Sequence, residues 1–320
     1  METVGSPALW IGFIVLVLGL LALDLGVFHR KAHAVSLKEA GIWSVVWVGL
    51  AALFAAAVYG WFGPERAVEF ATGYLIEKAL AVDNIFVFVV IFATFGVAAA
   101  YQHRVLFWGI VGALIMRGAF ILAGGAFLQR FHWAMYLFGG LLVATGVKLF
   151  VDRNKQPHPE RNPVVRGFRK ILPVTTEAHG PRFSIVKDGR RHATPMFIAL
   201  VTVEVTDVVF AVDSIPAIFA VTTDPFIVFT SNIFAILGMR SLYFLLAGAV
   251  TKFRYLTVGL SLVLVFVGVK MILADAYEIP VVASLGVIAA ILAAAFIASV
   301  LRSRAALNRE RRTARRSAAA

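Results

Sequence analysis

The chain contains no cysteine. That excludes disulfides, thiolate metal ligands and thiol catalysis, without fixing a compartment. Enzyme signatures are missing too: there is no HExxH, GxSxG or Walker loop. An aspartate-based intramembrane protease needs only two membrane acids. Here the GxGD sequence is absent and the acids come in duplicated pairs. The protein is therefore not expected to be an enzyme. Charged residues are sparse, at 15% of 320, against 60% hydrophobic; a soluble domain holds about 45–50% apolar residues. The N-terminus, METVGSPALW, lacks the positive region of a signal peptide, so the first apolar run is expected to be a retained helix.

What is present is a series of apolar runs near or above the about 18–20 residues that span a bilayer. Mean hydropathy is +0.86. The pattern predicts nine transmembrane helices, near 8–28, 41–62, 64–95, 104–127, 132–151, 195–221, 226–249, 255–274 and 280–301. Pro64, Pro225 and Pro280 suit first helical turns. The expected class is an all-α polytopic integral membrane protein.

The net charge of +12 suggests nucleic acid at first sight, but its distribution argues for membrane orientation. With the N-terminus outside, only Arg66 and Arg130 fall on the outer side. Lys78, Arg117, Lys148, Arg240 and Lys270 fall within helices, and the other 23 of the 30 Lys and Arg lie inside. That is a positive-inside pattern for an N-out, C-in protein, with the lipid bilayer as partner and no nucleic acid. The loop 152–194 holds five of the 11 prolines and reads as a cytoplasmic connector touching anionic lipid, or as a regulatory domain. Its histidines (His158, His179, His192) lack metal-ligand spacing. The Arg-rich tail reads as a disordered topology anchor.

Three blocks recur in order. EKALAVDNIF (from Glu77) matches DVVFAVDSIP (from Asp207), Met116-Arg117 matches Met239-Arg240, and GVKLF matches GVKMI, at offsets of 130, 123 and 122 residues. Helices three to five thus repeat as helices six to eight. Three helices per unit invert the second copy, the architecture of many transporters with a midplane site. The chain divides into two N-terminal helices (1–63), a first repeat (64–151), the basic loop (152–194), a second repeat (195–275), and a last helix with its tail (276–320).

Acids inside apolar runs are the chemistry-bearing feature. A membrane carboxylate costs about 2.5–3.5 kcal/mol even on the lenient insertion scale. Glu77, Asp83, Glu204, Asp207 and Asp213 all fall within predicted helices. With Asn84, Ser214 and Asn232 they form a hard-oxygen set suited to Mn²⁺, Ca²⁺ or Mg²⁺. The bland alternative is that Arg117, Arg240 and Lys78 neutralise them, and that the amides and hydroxyl make helix–helix hydrogen bonds. Glu204 aligns with Tyr74 and so has no acidic repeat partner. Asp24 reads as interfacial. Inversion predicts that Glu77 levels with Asp213, and Asp83 with Asp207. Pro216 predicts a break in helix six that would free carbonyl oxygens.

The stretches EKALAVDNIFVF, DVVFAVDSIPAIFAVTTDPFIVFTSNIFAILGMRSLYFLL and LDLGVFHRKAHAVSLKEA resemble the TerC family, especially its Alx-like members, from about Leu20 to Leu273. That family sits with the LysE-type exporters. The resemblance implies Mn²⁺ export across a bacterial inner membrane. It implies Asp24, Glu77, Asp83, Asn84, Asp207, Asp213 and Ser214 as the polar motif positions. Its tellurium association is in the name alone. The expected function is a divalent-cation exporter working by alternating access, with proton coupling as a further option. No resident cofactor is expected, since the ion is cargo. The competing expectation is a membrane scaffold that assists protein insertion or metalation of secreted proteins, with membrane-protein partners.

Overall fold

The computed structural model describes residues 3–26, 35–131, 133–152, 167, 174–175, 180–187, 190–247, 254–277 and 279–317. Helices are α1 (Pro7–Gly26), α2 (Leu37–Thr94), α3 (Ala99–Arg130), α4 (Ala134–Asp152), α5 (Pro195–Phe219), α6 (Pro225–Leu237), α7 (Met239–Leu246), α8 (Arg254–Leu273) and α9 (Val281–Ser317). Helices apolar on every side belong in a membrane or a large core. Here Ile11, Val15, Leu53, Ile115 and Phe296 point outward from the bundle. Among the described residues, six helices are long and apolar enough to cross a membrane; the apolar segments Pro7–Leu23 and Thr257–Leu273 are shorter.

Helix α2 has 58 residues, about 87 Å at 1.5 Å per residue. The hydrocarbon core is about 30 Å thick. The helix bends where sequence divides it: Gly63 takes φ 87° and ψ 178°, a left-handed φ that favours glycine. Pro64 follows and has no N–H to carry the ladder across.

Three expectations are corrected. Helix α5 runs unbroken through Pro216 to Phe219. The proline sits in the last turn, so the bond it removes is one that fraying would weaken anyway. The predicted seventh helix divides into α6 and α7 at Gly238. The basic loop carries one antiparallel hairpin, Ser184–Lys187 with Arg190–Ala193, in a structure whose other elements are all helices. The tail, expected to be disordered, is helical to Ser317, in keeping with its Ala- and Arg-rich, glycine-free sequence.

The hairpin is tied to the bundle. Thr194 Oγ1 donates to Arg182 O (2.7 Å) and accepts from Phe197 N (3.4 Å), capping α5. Arg104 of α3 stacks over the Phe183 ring at 5.1 Å. Inside the bundle α2 packs on α6 and α7, α3 on α5, and α4 on α8. The last contact is backbone-close: a Cβ added at Gly139 would meet Gly268 O at 2.9 Å, and one at Gly146 would meet Ser261 O at 2.8 Å. Helix α6 is buried along almost its whole length. Asp224 caps its start, accepting from Phe226 N at 2.9 Å. Lys78 donates to Ala235 O near its end (3.2 Å), where unpaired helix carbonyls attract a cation. This central helix carries Asn232 between the packed halves.

Candidate functional site

Helix α3 brings Arg117 into the centre, with 0% of the residue exposed. Its guanidinium faces two carboxylates from different helices. Nε donates to Asp207 Oδ2 at 3.0 Å and Nη2 to Asp207 Oδ1 at 2.7 Å. Nη1 donates to Glu77 Oε1, to Ser214 Oγ at 3.3 Å and to Asn232 Oδ1 at 3.3 Å. Asn232 Nδ2 donates to Glu77 Oε2 at 3.1 Å. All four carboxylate oxygens therefore accept a hydrogen bond, which buried charge requires. With both acids and the arginine ionised, the cluster carries one net negative charge.

The side chains come from α2, α3, α5 and α6, so the network exists only once the bundle is assembled. Asp207 and Ser214 are seven residues apart on α5, and two turns bring them to one face. Fork-shaped arginine suits this place because it can serve two carboxylates at once; lysine offers a point charge.

The pairing differs from the expected one. Glu77 levels with its repeat equivalent Asp207, through Arg117, rather than with Asp213. Equivalent residues meet when the helices cross at those residues. Six helical positions further along rise by about 9 Å, which carries Asp213 away. Asp213 is half-buried and accepts instead from Thr145 Oγ1 of α4 at 3.0 Å. Asn84 is buried. Arg240, also buried, lines a narrow crevice with Asp207, Phe88 and Gly109. The side chains of Asp24 and Asp83 lie outside the described residues.

Glu204 precedes Asp207 by three residues on α5 and packs on Gly112 of α3, where an added Cβ would lie 2.1 Å from its Oε1. Sequence reading missed Gly112 and Thr145. The signal for Gly112 was a glycine on the arginine's own helix, five residues before it. Among the described residues, no group of three or more His, Cys, Asp or Glu is placed to hold a metal. The described oxygens that gather do so around Arg117 and include an amide and a hydroxyl.

Fold and site together define a polytopic membrane protein with a buried acid–arginine network at its core. The chain belongs to the integral membrane protein TerC family, whose profile matches residues 62–307. It is 60% identical over 307 residues to the "Uncharacterized membrane protein STKORF319" of Myxococcus xanthus, covering 95% of this chain and 96% of the relative. It is 48% identical over 307 residues to a protein of Escherichia coli (strain K12) named "Putative membrane-bound redox modulator Alx", covering 93% and 95%. No solved structure matches. It is a multi-pass protein of a bacterial inner membrane.

Proposed function

We propose that this protein exports a divalent metal cation, Mn²⁺ foremost with Ca²⁺ or Mg²⁺ as alternatives, by alternating access between inverted repeats. The observation that carries the reading is the meeting of Glu77 and Asp207, repeat equivalents, on one buried guanidinium with Asn232 and Ser214. Two carboxylates, an amide and a hydroxyl from opposed helices are hard oxygen donors for such an ion. Buried acids of this kind mark ion pathways in membrane proteins.

Packing supports the inversion. The offset of 122 residues maps Gly139 to Ser261 and Gly146 to Gly268. The close contacts are Gly139 with Gly268 and Gly146 with Ser261, each the image of the other under a two-fold axis. The α2–α6 and α3–α5 contacts exchange under the same operation. Dividing α2 at Gly63, joining α6 with α7 and counting α1 and α8 gives nine spans, with the N-terminus out and the C-terminus in. The units are then 64–151 and 195–275, flanked by 1–63 and 276–320 and joined by 152–194. Protonation of the acids from outside would aid release.

A scaffold reading, with membrane proteins as partners, has one observation in its favour: Arg117 satisfies both acids as a structural ion pair would. A role as redox modulator, the description of the Escherichia coli relative, would have to work without thiols here, because the chain has no cysteine. Mn²⁺ flux in proteoliposomes separates these readings. The exporter moves Mn²⁺, and Asp207→Asn lowers the rate about tenfold or more, the factor that about 1.4 kcal/mol supplies. Absence of flux for Mn²⁺, Ca²⁺ and Mg²⁺ would favour the scaffold.

A further inference from the structure

Arg117 and a transported cation compete for the same atoms. The guanidinium already occupies both oxygens of Asp207, one of Glu77, Ser214 Oγ and Asn232 Oδ1. A cation seated between the two acids needs the place that the guanidinium now fills, although each carboxylate oxygen keeps a second lone pair. With Glu77 and Asp207 ionised the cluster is −1 with the arginine in place. It becomes neutral when a divalent ion takes the arginine's position. Exchange is therefore favoured by charge, provided the displaced guanidinium finds a new anionic partner. Left alone in a buried, low-dielectric place it would cost several kcal/mol.

Glu204 supplies that partner. It stands three residues before Asp207, so on the same face of α5 and about 4.5 Å nearer the helix start. It packs on Gly112 of α3, the helix that bears Arg117. Side chains on a helix lean toward its N-terminus, and α3 and α5 run in the same direction at this contact, since Gly109 meets Val203 and Arg117 meets Asp207. The arginine thus leans toward the level of Glu204. Glycine at 112 keeps room for the carboxylate; any larger residue would fill it.

We propose that Arg117 is a tethered counter-cation that moves from the Glu77–Asp207 pair to Glu204 when a divalent cation binds. The proposal rests on the cation reading above, and it assigns Glu204 and Arg117 as positioning residues rather than ligands. Each exchange would couple binding to a charge movement between adjacent levels of α5.

The test is Mn²⁺ binding to purified full-length protein, measured by the paramagnetic resonance of free Mn²⁺. Wild type binds and Glu77→Gln abolishes binding. Arg117→Gln removes the competitor and tightens apparent affinity about tenfold or more. Glu204→Gln weakens it about three- to tenfold in wild type, and by less than about twofold in the Arg117→Gln background, because the two act through one exchange. If Arg117→Gln does not fold, the Glu204→Gln comparison still decides: unchanged affinity overturns the proposal. An equal loss with and without Arg117 makes Glu204 a ligand and overturns it as well. If wild type binds no Mn²⁺, the cation reading itself falls. Binding that Glu77→Gln abolishes, with neither other variant behaving as stated, sinks the exchange alone.

Discussion

Arg117 and Asp207 form a two-pronged buried ion pair, with Nη2–Oδ1 at 2.7 Å and Nε–Oδ2 at 3.0 Å. It joins α3 to α5 at the level where Glu77 of α2 also arrives. The relationship gives α3 a purpose that apolar packing alone would not.

Removing Asp207 leaves Arg117 paired with Glu77 but strips Nε and Nη2 of their buried acceptors. Asp207→Ala is expected to destabilise the protein by about 1–3 kcal/mol. Thermal unfolding in detergent reads this directly. A melting temperature equal to wild type would mean that the pair contributes nothing to stability.

Helices α4 and α8 approach so closely that Gly139 and Gly268 face each other's carbonyl oxygens, at 2.9 Å and 2.7 Å from an added Cβ. Gly139→Leu or Gly268→Leu should cost about 1–3 kcal/mol through forced separation of backbones. Gly140, with nothing within 4 Å of an added Cβ, is the control: Gly140→Leu should melt like wild type. Equal losses at all three positions would show that the close approach of α4 and α8 does not set the cost, since leucine is itself the better helix former.

Asp224 does two jobs. It caps α6, and it holds the N-terminal segment by accepting from Thr3 Oγ1 (2.9 Å) and Val4 N (2.8 Å). Asp224→Ala should lower stability by about 0.5–2 kcal/mol and speed proteolytic trimming of the first residues. Trimming at the wild-type rate would show that the latch is unimportant.

The absence of cysteine makes orientation simple to test, since one introduced cysteine is the only thiol. Trp133→Cys and Tyr277→Cys replace exposed residues at helix ends assigned to the outer side. Both should react with a membrane-impermeant maleimide in intact spheroplasts. Ser184→Cys, on the hairpin, should react only after permeabilisation. The opposite pattern would invert the assigned topology.

Composition and hydropathy were enough to read a polytopic membrane protein, because lipid imposes long apolar helices on any sequence that crosses it. The division of α2 was legible too, since Pro64 suits a first helical turn and sets the boundary between the predicted helices 41–62 and 64–95. The polar positions Glu77, Arg117, Asp207, Ser214 and Asn232 could be picked out one by one, as each is costly within an apolar run. Their partnership could not. It depends on where α2, α3 and α5 cross, a matter of side-chain volume spread over the whole bundle. The levelling of Glu77 with Asp213 failed for this reason, and so did the break at Pro216, which tertiary packing did not require.

Sequence by itself therefore determined the solvent this chain lives in and the short set of residues worth watching, both of which follow from local hydrophobicity and spacing. Only the tertiary structure decided that Arg117 unites Glu77 with Asp207, that Asp213 turns to Thr145, and that Glu204 rests on Gly112. Those contacts join residues tens of positions apart, and their distances are set by how closely whole helices pack.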